Sequence, residues 1–365
     1  MTPPLPSVRN RAATLTWLRK VWPWVFLLAM VALFTVAAKA RSGTDFLSFR
    51  SIQGILVYAT QILLIALGET LVIISGGIDL SVGIILGLSA VVAAEIMKTL
   101  YAAGAAPWVT ILAGMAGGVA VCVIPGWING LLVARIKVPP FISTLGMGYA
   151  VYGTALLISG GNTVAGQPPY LGQLGNGYLF YYWPGHGVSF FNVPATAAPT
   201  DLPAILPLVP NVVLLTLAVT LICWFVLAKT QFGQHLYAIG GNFEAALRAG
   251  IPVQRTITLV YIIAAMLAGV AGSLWAARFT SGAANAGETT LLTSISAVVI
   301  GGASLFGGAG TVIGTGVGAL IIATIQFGLV ILNMPPFWQF ITVGVVVIVA
   351  VIVDQFGQTL GRQEH

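Results

Sequence analysis

Charge is scarce in this sequence: 7% of its 365 residues are charged, against about 25% in an ordinary soluble domain, and 58% are hydrophobic. Too little charge is left to cover a surface facing water, so a water-soluble globule and a disordered chain are both excluded. Cysteine is nearly absent. Cys122 and Cys223 stand alone in apolar stretches, so neither a disulfide framework nor a thiolate metal site follows. The three histidines, His186, His235 and His365, lie too far apart in sequence to form a local ligand set. A phosphate-binding loop needs Gly-Lys before Ser or Thr, and no Gly-Lys pair occurs, so this chain is not expected to hydrolyse ATP itself. With no nucleophile or metal constellation visible, no catalytic residue and no bound cofactor or metal is expected on this chain. The formal charge of +6 does not imply nucleic acid, because the cations are scattered singly between apolar runs.

What is abundant is apolar sequence, with a mean hydropathy of +0.99. A span needs about 20 apolar residues to cross about 30 Å of hydrocarbon. On that rule the sequence predicts an all-α, polytopic transmembrane helical bundle of about ten spans. They fall near 21–38, 52–75, 82–98, 108–133, 139–158, 211–228, 256–277, 289–306, 311–332 and 337–353. Gly or Pro interrupts the long second and fourth, which are expected to be broken or tilted. The first span follows Arg9, Arg11, Arg19 and Lys20, but its apolar run exceeds the about 7–15 residues of a signal peptide, so it is read as a retained helix.

Lys and Arg favour the cytoplasmic side. With the N-terminus inside, ten of the fifteen cations fall on inner segments, and the connection 159–210 holds none. The expected layout is a cytoplasmic tail over 1–20, a membrane domain over 21–354 and a cytoplasmic tail over 355–365. Within the membrane domain, 159–210 is periplasmic and 229–255 is a cytoplasmic loop. The aromatic run Tyr178 to Trp183 in the outer connection suits either an interfacial belt or a docking surface for a periplasmic partner.

Three segments carry unusual chemistry. Around Ser75, Gly76, Gly77, Asp79 and Ser81 a polar, glycine-rich break separates two apolar runs, and such backbone is tolerated at membrane depth only inside protein or beside a water-filled cavity. Asp79 is placed either to cap the next helix or to line or gate the path. In the cytoplasmic loop, Asn242 suits an N-cap, Glu244 lies in the first turn, Arg248 follows four residues later, and Gly250 with Pro252 ends the helix. Phe243 and Leu247 make an apolar stripe and Ala245 and Ala249 a small one. A helix of about seven residues needs outside support, from a partner or its own subunit. The third segment holds Ser294, Ser296, Gly301, Gly302, Ser304 and a run of further glycines; helix packing and a cavity-lining turn both suit it.

At these residues the sequence resembles the permease subunits of bacterial ABC importers for ribose and similar sugars. The motifs are Ile-Ser-Gly-Gly-Ile-Asp-Leu-Ser-Val-Gly (74–83), Val-Pro-Pro-Phe-Ile-Ser-Thr-Leu-Gly (138–146), Phe-Gly-Gln-His-Leu-Tyr-Ala-Ile-Gly-Gly-Asn (232–242) and Val-Ile-Gly-Gly-Ala-Ser-Leu-Phe-Gly-Gly (299–308). Coverage runs from about residue 45 to 354. The resemblance implies a bacterial inner-membrane permease that pairs with a second copy or homologue, a cytoplasmic ABC ATPase carrying ATP and Mg, and a periplasmic solute-binding protein. Glu244, Ala245, Ala246 and Gly250 match the Glu-Ala-Ala-x-x-x-Gly coupling loop, which spans Asn242, Phe243, Leu247 and Arg248 as well. Phe243 departs from the Pro common there, and the 165–210 segment is longer than the usual outer connection.

The rival class is a secondary transporter driven by an ion gradient, which would want a coupling site at the midplane. Only Glu69, Asp79 and Glu95 are acids near the spans, and all three are expected near span ends. The spans carry hydroxyls, amides and aromatics without a cluster of one charge, which fits an uncharged polyhydroxylated solute better than an anion.

Overall fold

A computed structural model describes residues 8–346 apart from Ala195, together with Ile348 and Val349; the side chains of residues 8–20 and of Ser42 stand outside that description. The tail read at 355–365, the end of the tenth span and residues 1–7 lie outside the described residues.

In hydrocarbon a helix alone satisfies its own backbone, so the apolar runs become helices. In chain order they are α1 (Val8–Ser42), α2 (Phe49–Ile74), α3 (Val82–Ala102) and α4 (Pro107–Leu131), which runs on into a π-helical turn at Leu132–Ile136. After α5 (Pro140–Ser159) come the short α6 (Leu171–Asn176), then α7 (Asn211–Lys229), α8 (Gln231–Gly241), α9 (Phe243–Arg248), α10 (Val253–Phe279), α11 (Glu288–Ile300) and α12 (Val312–Ile331). A last described helix, α13, covers Phe337–Val346. Eight of these are long and apolar enough to cross a membrane, and α11 and α13 are shorter apolar helices, consistent with a polytopic bundle of about ten spans.

Burial sorts the long helices into two shells. About two-thirds or more of the apolar windows of α2, α3, α10 and α12 is buried, but less than a third for α1, α4, α5 and α7. Leu28, Leu112, Leu157 and Ile222 are therefore exposed apolar side chains on an outer shell, as expected where the solvent is lipid. Because lipid supplies no hydrophobic drive between helices, close backbone approach and interhelical hydrogen bonds hold the inner shell. Ser89 of α3 donates to the Gly269 carbonyl of α10 at 2.6 Å, and the hydroxyls of Thr70 and Thr315 meet at 2.6 Å between α2 and α12. At Gly272 of α10 a Cβ would sit 2.2 Å from the Leu86 carbonyl oxygen. Only glycine fits there.

The structure corrects several expectations. The second span is one unbroken helix: Gly54 and Gly68 make room for Phe327 and Ala264 rather than a kink. The fourth does distort, at Leu132–Ile136 and the left-handed Lys137, beyond Pro125. The eighth ends at Ile300, six residues early, because Gly301 and Gly302 terminate it. At 1.5 Å per residue its 13 residues rise about 20 Å, short of a full crossing. Glu69 lies inside the last two turns of α2, near its end, and is fully buried. Helix α1 begins at Val8, while its apolar stretch long enough to cross a membrane is Val21–Arg41, close to the first span read from sequence.

The connection between α5 and α7 is built, not merely long. Strands β1 (Phe180–Trp183), β2 (Gly187–Phe190) and β3 (Leu206–Pro207) form an antiparallel sheet in the order β2-β1-β3, with Phe180 opposite Phe190 and Tyr182 opposite Leu206. Gln53 of α2 ties it down by donating to the carbonyls of Pro207 at 2.6 Å and Leu208 at 2.8 Å. The Val164–Gly282 bridge and the Asn176 bond to the Arg278 carbonyl fix the same end. This end is called the sheet face below, and the opposite end, which carries α8 and α9, the junction face.

Gly272→Val should overpack the α3–α10 contact, costing on the order of 1–3 kcal/mol and lowering the thermal unfolding midpoint of detergent-purified protein. An unchanged midpoint would show that the contact does not bear on stability.

Candidate functional site

The four sequence motifs meet at the junction face. Helix α2 ends at Ile74, and Gly76 turns the chain with φ +85°. The turn after α11 comes in from the other side, and the Gly308 amide donates to the Ile74 carbonyl at 2.9 Å. Helix α8 closes the third side. A Cβ on Gly240 would lie 1.7 Å from the Ile74 oxygen and 2.5 Å from the Gly308 nitrogen, so backbone touches backbone. Tyr237, one turn earlier on α8, donates its hydroxyl to the Gly310 carbonyl at 2.7 Å. Three interrupted chain segments thus satisfy one another where helix geometry cannot.

The second motif supports the break from α5. Asp79 Oδ1 accepts from the Ser81 amide at 2.8 Å and from the Ser81 hydroxyl at 2.5 Å. The N-cap position of α3 falls to Ser81 itself, so Asp79 braces the turn two residues ahead of that cap and is fully buried. Asn129 of α4 donates to the Ser81 hydroxyl at 3.0 Å and accepts from Ser143 of α5 at 3.2 Å; Thr144 accepts from the Leu80 amide at 3.0 Å. Behind this turn lie Glu69 and Tyr261, also fully buried. Both Glu69 carboxyl oxygens, Asp79 Oδ2 and the Tyr261 hydroxyl find no hydrogen-bond partner among the described residues. Gly77 is needed here because its Cβ would meet the Tyr261 hydroxyl at 2.7 Å.

The remaining residues singled out from sequence are placed as follows. Ser75 caps α2 and bonds back to the Val72 carbonyl at 2.7 Å. Gly76 and Gly302 are exposed at the tips of their turns. Gly301 packs against Gly314 of α12, where its Cβ would meet the Gly314 oxygen at 2.3 Å. Ser294 and Ser296 bond to the Leu291 and Leu292 carbonyls of their own helix. Ser304 accepts from the Phe306 amide at 3.3 Å.

Helix α9 follows α8 directly. Asn242 caps it, accepting from the Ala245 amide at 2.9 Å. Its end is a Schellman motif: Gly250 has φ +80°, its amide donates to Leu247 at 3.1 Å, and Ile251 donates to Ala246 at 3.1 Å. Of the residues from Asn242 to Gly250 only Ala246 is buried; Phe243 and Leu247 are 44% and 53% exposed. Glu244 and Arg248 form no ion pair among the described residues.

A family model for the permease component of branched-chain amino acid transport systems matches residues 51–351. The chain belongs to that permease family. It is 36% identical over 338 residues to a ribose import permease protein of Bacillus subtilis, covering 93% of each chain. A D-allose transport system permease protein of Escherichia coli is 37% identical over 331 residues, 90% of each. An L-arabinose ABC transporter permease protein of Azospirillum brasilense is 33% identical over 344 residues, 94% of this chain and 91% of the relative. No solved structure matches it.

In this permease the sequence reading missed Asn129, the link between the Asp79 turn and α5. An amide inside an apolar span was the available signal, since such groups are costly in lipid unless they do something there. Asn129→Ala should strand buried partners of Ser81 and Ser143 and destabilise the protein by about 1–3 kcal/mol, read as a lower unfolding midpoint. Gly240→Val should be worse. Its side chain has no space between Ile74 and Gly308, so folded yield should fall sharply, and wild-type yield and midpoint would refute the close-packed junction.

Proposed function

We propose that this chain is the path-forming subunit of an ATP-driven importer of a neutral monosaccharide. The subunit pairs with a second permease, as a copy of itself or a homologue, and receives solute from a periplasmic binding protein. ATP and Mg act on a separate cytoplasmic ATPase. The observation that carries the reading is the junction: α8 joins an exposed, capped six-residue helix to both interrupted segments through direct backbone contact.

A helix this short gains order from a partner that covers it. The exposed Phe243, Ala245, Leu247 and Ala249 offer an apolar and a small stripe, and Glu244 and Arg248 lie at the rim. Pressure on α9 from an ATPase reaches Gly240 through one continuous piece of chain, and from there the 74–83 and 299–308 segments that form the gate. The sugar preference rests on the names of the relatives, which mention ribose, D-allose and L-arabinose. Those relatives and the ABC family favour this mechanism over one driven by an ion gradient.

The proposed orientation puts the junction face, both termini and the 229–255 loop in the cytoplasm of the bacterial inner membrane, and the sheet face in the periplasm. Native Cys122 and Cys223 are buried, so introduced cysteines report cleanly. Ala198→Cys should react with an impermeant thiol reagent added to intact spheroplasts and Gly241→Cys should not. The reverse pattern refutes the orientation.

Reconstitution with the ATPase and binding protein tests the function. ATP-driven uptake of a neutral monosaccharide is expected from a panel of D-ribose, D-allose and L-arabinose. Ala245→Arg puts a bulky charge on the small stripe, and Gly250→Val forces a β-branched residue into a left-handed position, a strain of about 1–2 kcal/mol. Either should reduce ATPase association and uptake and leave sugar binding by the periplasmic protein unchanged. Wild-type association and uptake in both variants would refute α9 as the coupling element.

A further inference from the structure

Two cavities lie along the sheet-face half of α2, on the far side of the molecule's depth from the junction. The larger, about 520 Å³, is walled by Arg50, Tyr181 and the loop before β3. The smaller, about 220 Å³, lies between α2, α10, α11, α12 and α13. Tyr58 lines both, held edge-on against Phe327 with ring centroids 5.7 Å apart. One aromatic ring thus stands on the wall of both; the larger is called the outer cavity and the smaller the inner pocket.

The inner pocket is lined by an unusual set of groups for a bundle this apolar. Gln61 comes from α2, Arg278 from α10, Thr289 and Thr290 from α11, Gln326 from α12 and Gln339 from α13. The side chains of all three glutamines make no hydrogen bond within the described protein, nor do the hydroxyls of Thr289 and Thr290. Arg278 forms no ion pair among the described residues, and its Nε is buried without a partner. Placing amides and a guanidinium inside spans is costly, and that cost is ordinarily met by partners within the bundle. Here five separate elements bring such groups to one space: the three glutamines are half-buried, and Arg278, with its guanidinium 5.8 Å from the Phe279 ring centroid, keeps its Nε buried without a hydrogen-bond partner among the described residues.

We infer that this pocket is a transient binding site of the permease itself for a neutral, polyhydroxylated ring of monosaccharide size. The inference rests on the transport function proposed above and adds a solute site distinct from the 74–83 and 299–308 segments. Each sugar hydroxyl both donates and accepts, and each glutamine amide offers one acceptor and two donors, so the two inventories match. An anion would use only the donors and leave three amide oxygens facing it; an apolar solute would strand all of them. At about 220 Å³ the pocket has room for a solute of monosaccharide size. Tyr58 and Phe279 supply flat surfaces for the ring's apolar face. Transport also demands weak retention, so many single hydrogen bonds serve better than one strong clamp.

The test uses the reconstituted importer with labelled D-ribose and D-allose, reading solute moved per ATP hydrolysed and the preference between the two. Gln61→Leu and Gln326→Leu should lower solute moved per ATP by about tenfold, the scale of one or two lost hydrogen bonds, and should alter the sugar preference. Stimulation of the ATPase by loaded binding protein should stay near wild type. Thr290→Val, nearly isosteric, carries the same expectation in weaker form and serves where a glutamine variant fails to fold. If the wild-type assembly moves no sugar of the panel with ATP, the proposed function fails. If it does, and the variants keep both coupling ratio and preference, the pocket is not a solute site. Uptake of D-gluconate in place of neutral sugars, abolished by Arg278→Gln, would also overturn the assignment.

Discussion

The junction face depends on one constraint: away from water, a backbone carbonyl or amide that leaves a helix must find another partner within the protein. The Ile74 carbonyl, freed where α2 stops, finds the Gly308 amide at 2.9 Å. The approach is close enough that no Cβ is tolerated at Gly240, which is why the Ile-Gly-Gly-Asn sequence before α9 faces the glycine-rich turns of two other segments. Glycine is often read in membrane helices as a packing residue, and at Gly272 it is one. At Gly240 the same residue type lets the backbones of three segments meet.

The spans were legible in sequence for a reason that also explains what was not. Hydropathy finds helices because lipid leaves the backbone few alternatives, so α2, α5, α7 and α12 fall within a few residues of expectation. Hydropathy does not see where an apolar helix must stop, and so α11 was drawn through Gly301 to Phe306. It is also blind to strands of four residues. The aromatic run at Phe180–Trp183, the Pro184-Gly185 turn and the run at Gly187–Phe190 form a hairpin whose signal was passed over when the aromatic run was read as an interfacial belt or a docking surface. The α9 cap was legible in full, down to the Asn242 side chain and the left-handed Gly250, because capping is local chemistry. Asn129, Gln61 and Gln326 were passed over because each is one amide in a long apolar run. What gives them meaning is the company they keep in space, which spacing along the chain does not reveal.

The two ends of the bundle solve opposite problems. At the junction face the interrupted backbone is closed on itself, and at the sheet face the polar side chains are left open. Helix α2 joins them: its last residue is in the junction, while Tyr58 and Gln61 lie on the cavities. It contains no break to absorb a displacement, and it is also the most buried of the long helices. In the proposed mechanism a movement of its junction end would be carried to the cavity walls instead of being lost in local bending.

The energetic consequence concerns how such a junction can open. Separating Ile74 from Gly308, or Tyr237 from Gly310, in a dry environment leaves buried polar groups unsatisfied, at a cost of several kcal/mol for each. The same separation with water at hand costs about 0.5–1.5 kcal/mol per bond, since water takes the partner's place. The closed arrangement is thus held most firmly while the path is dry, and is cheaper to open once it is wet. Hydration and backbone separation must then occur together, and a displacement of α8 too small to admit water returns to its starting point. A junction built from backbone and glycine gives a sharper threshold than one built from side chains, which can rotate to follow a small movement and keep their partners.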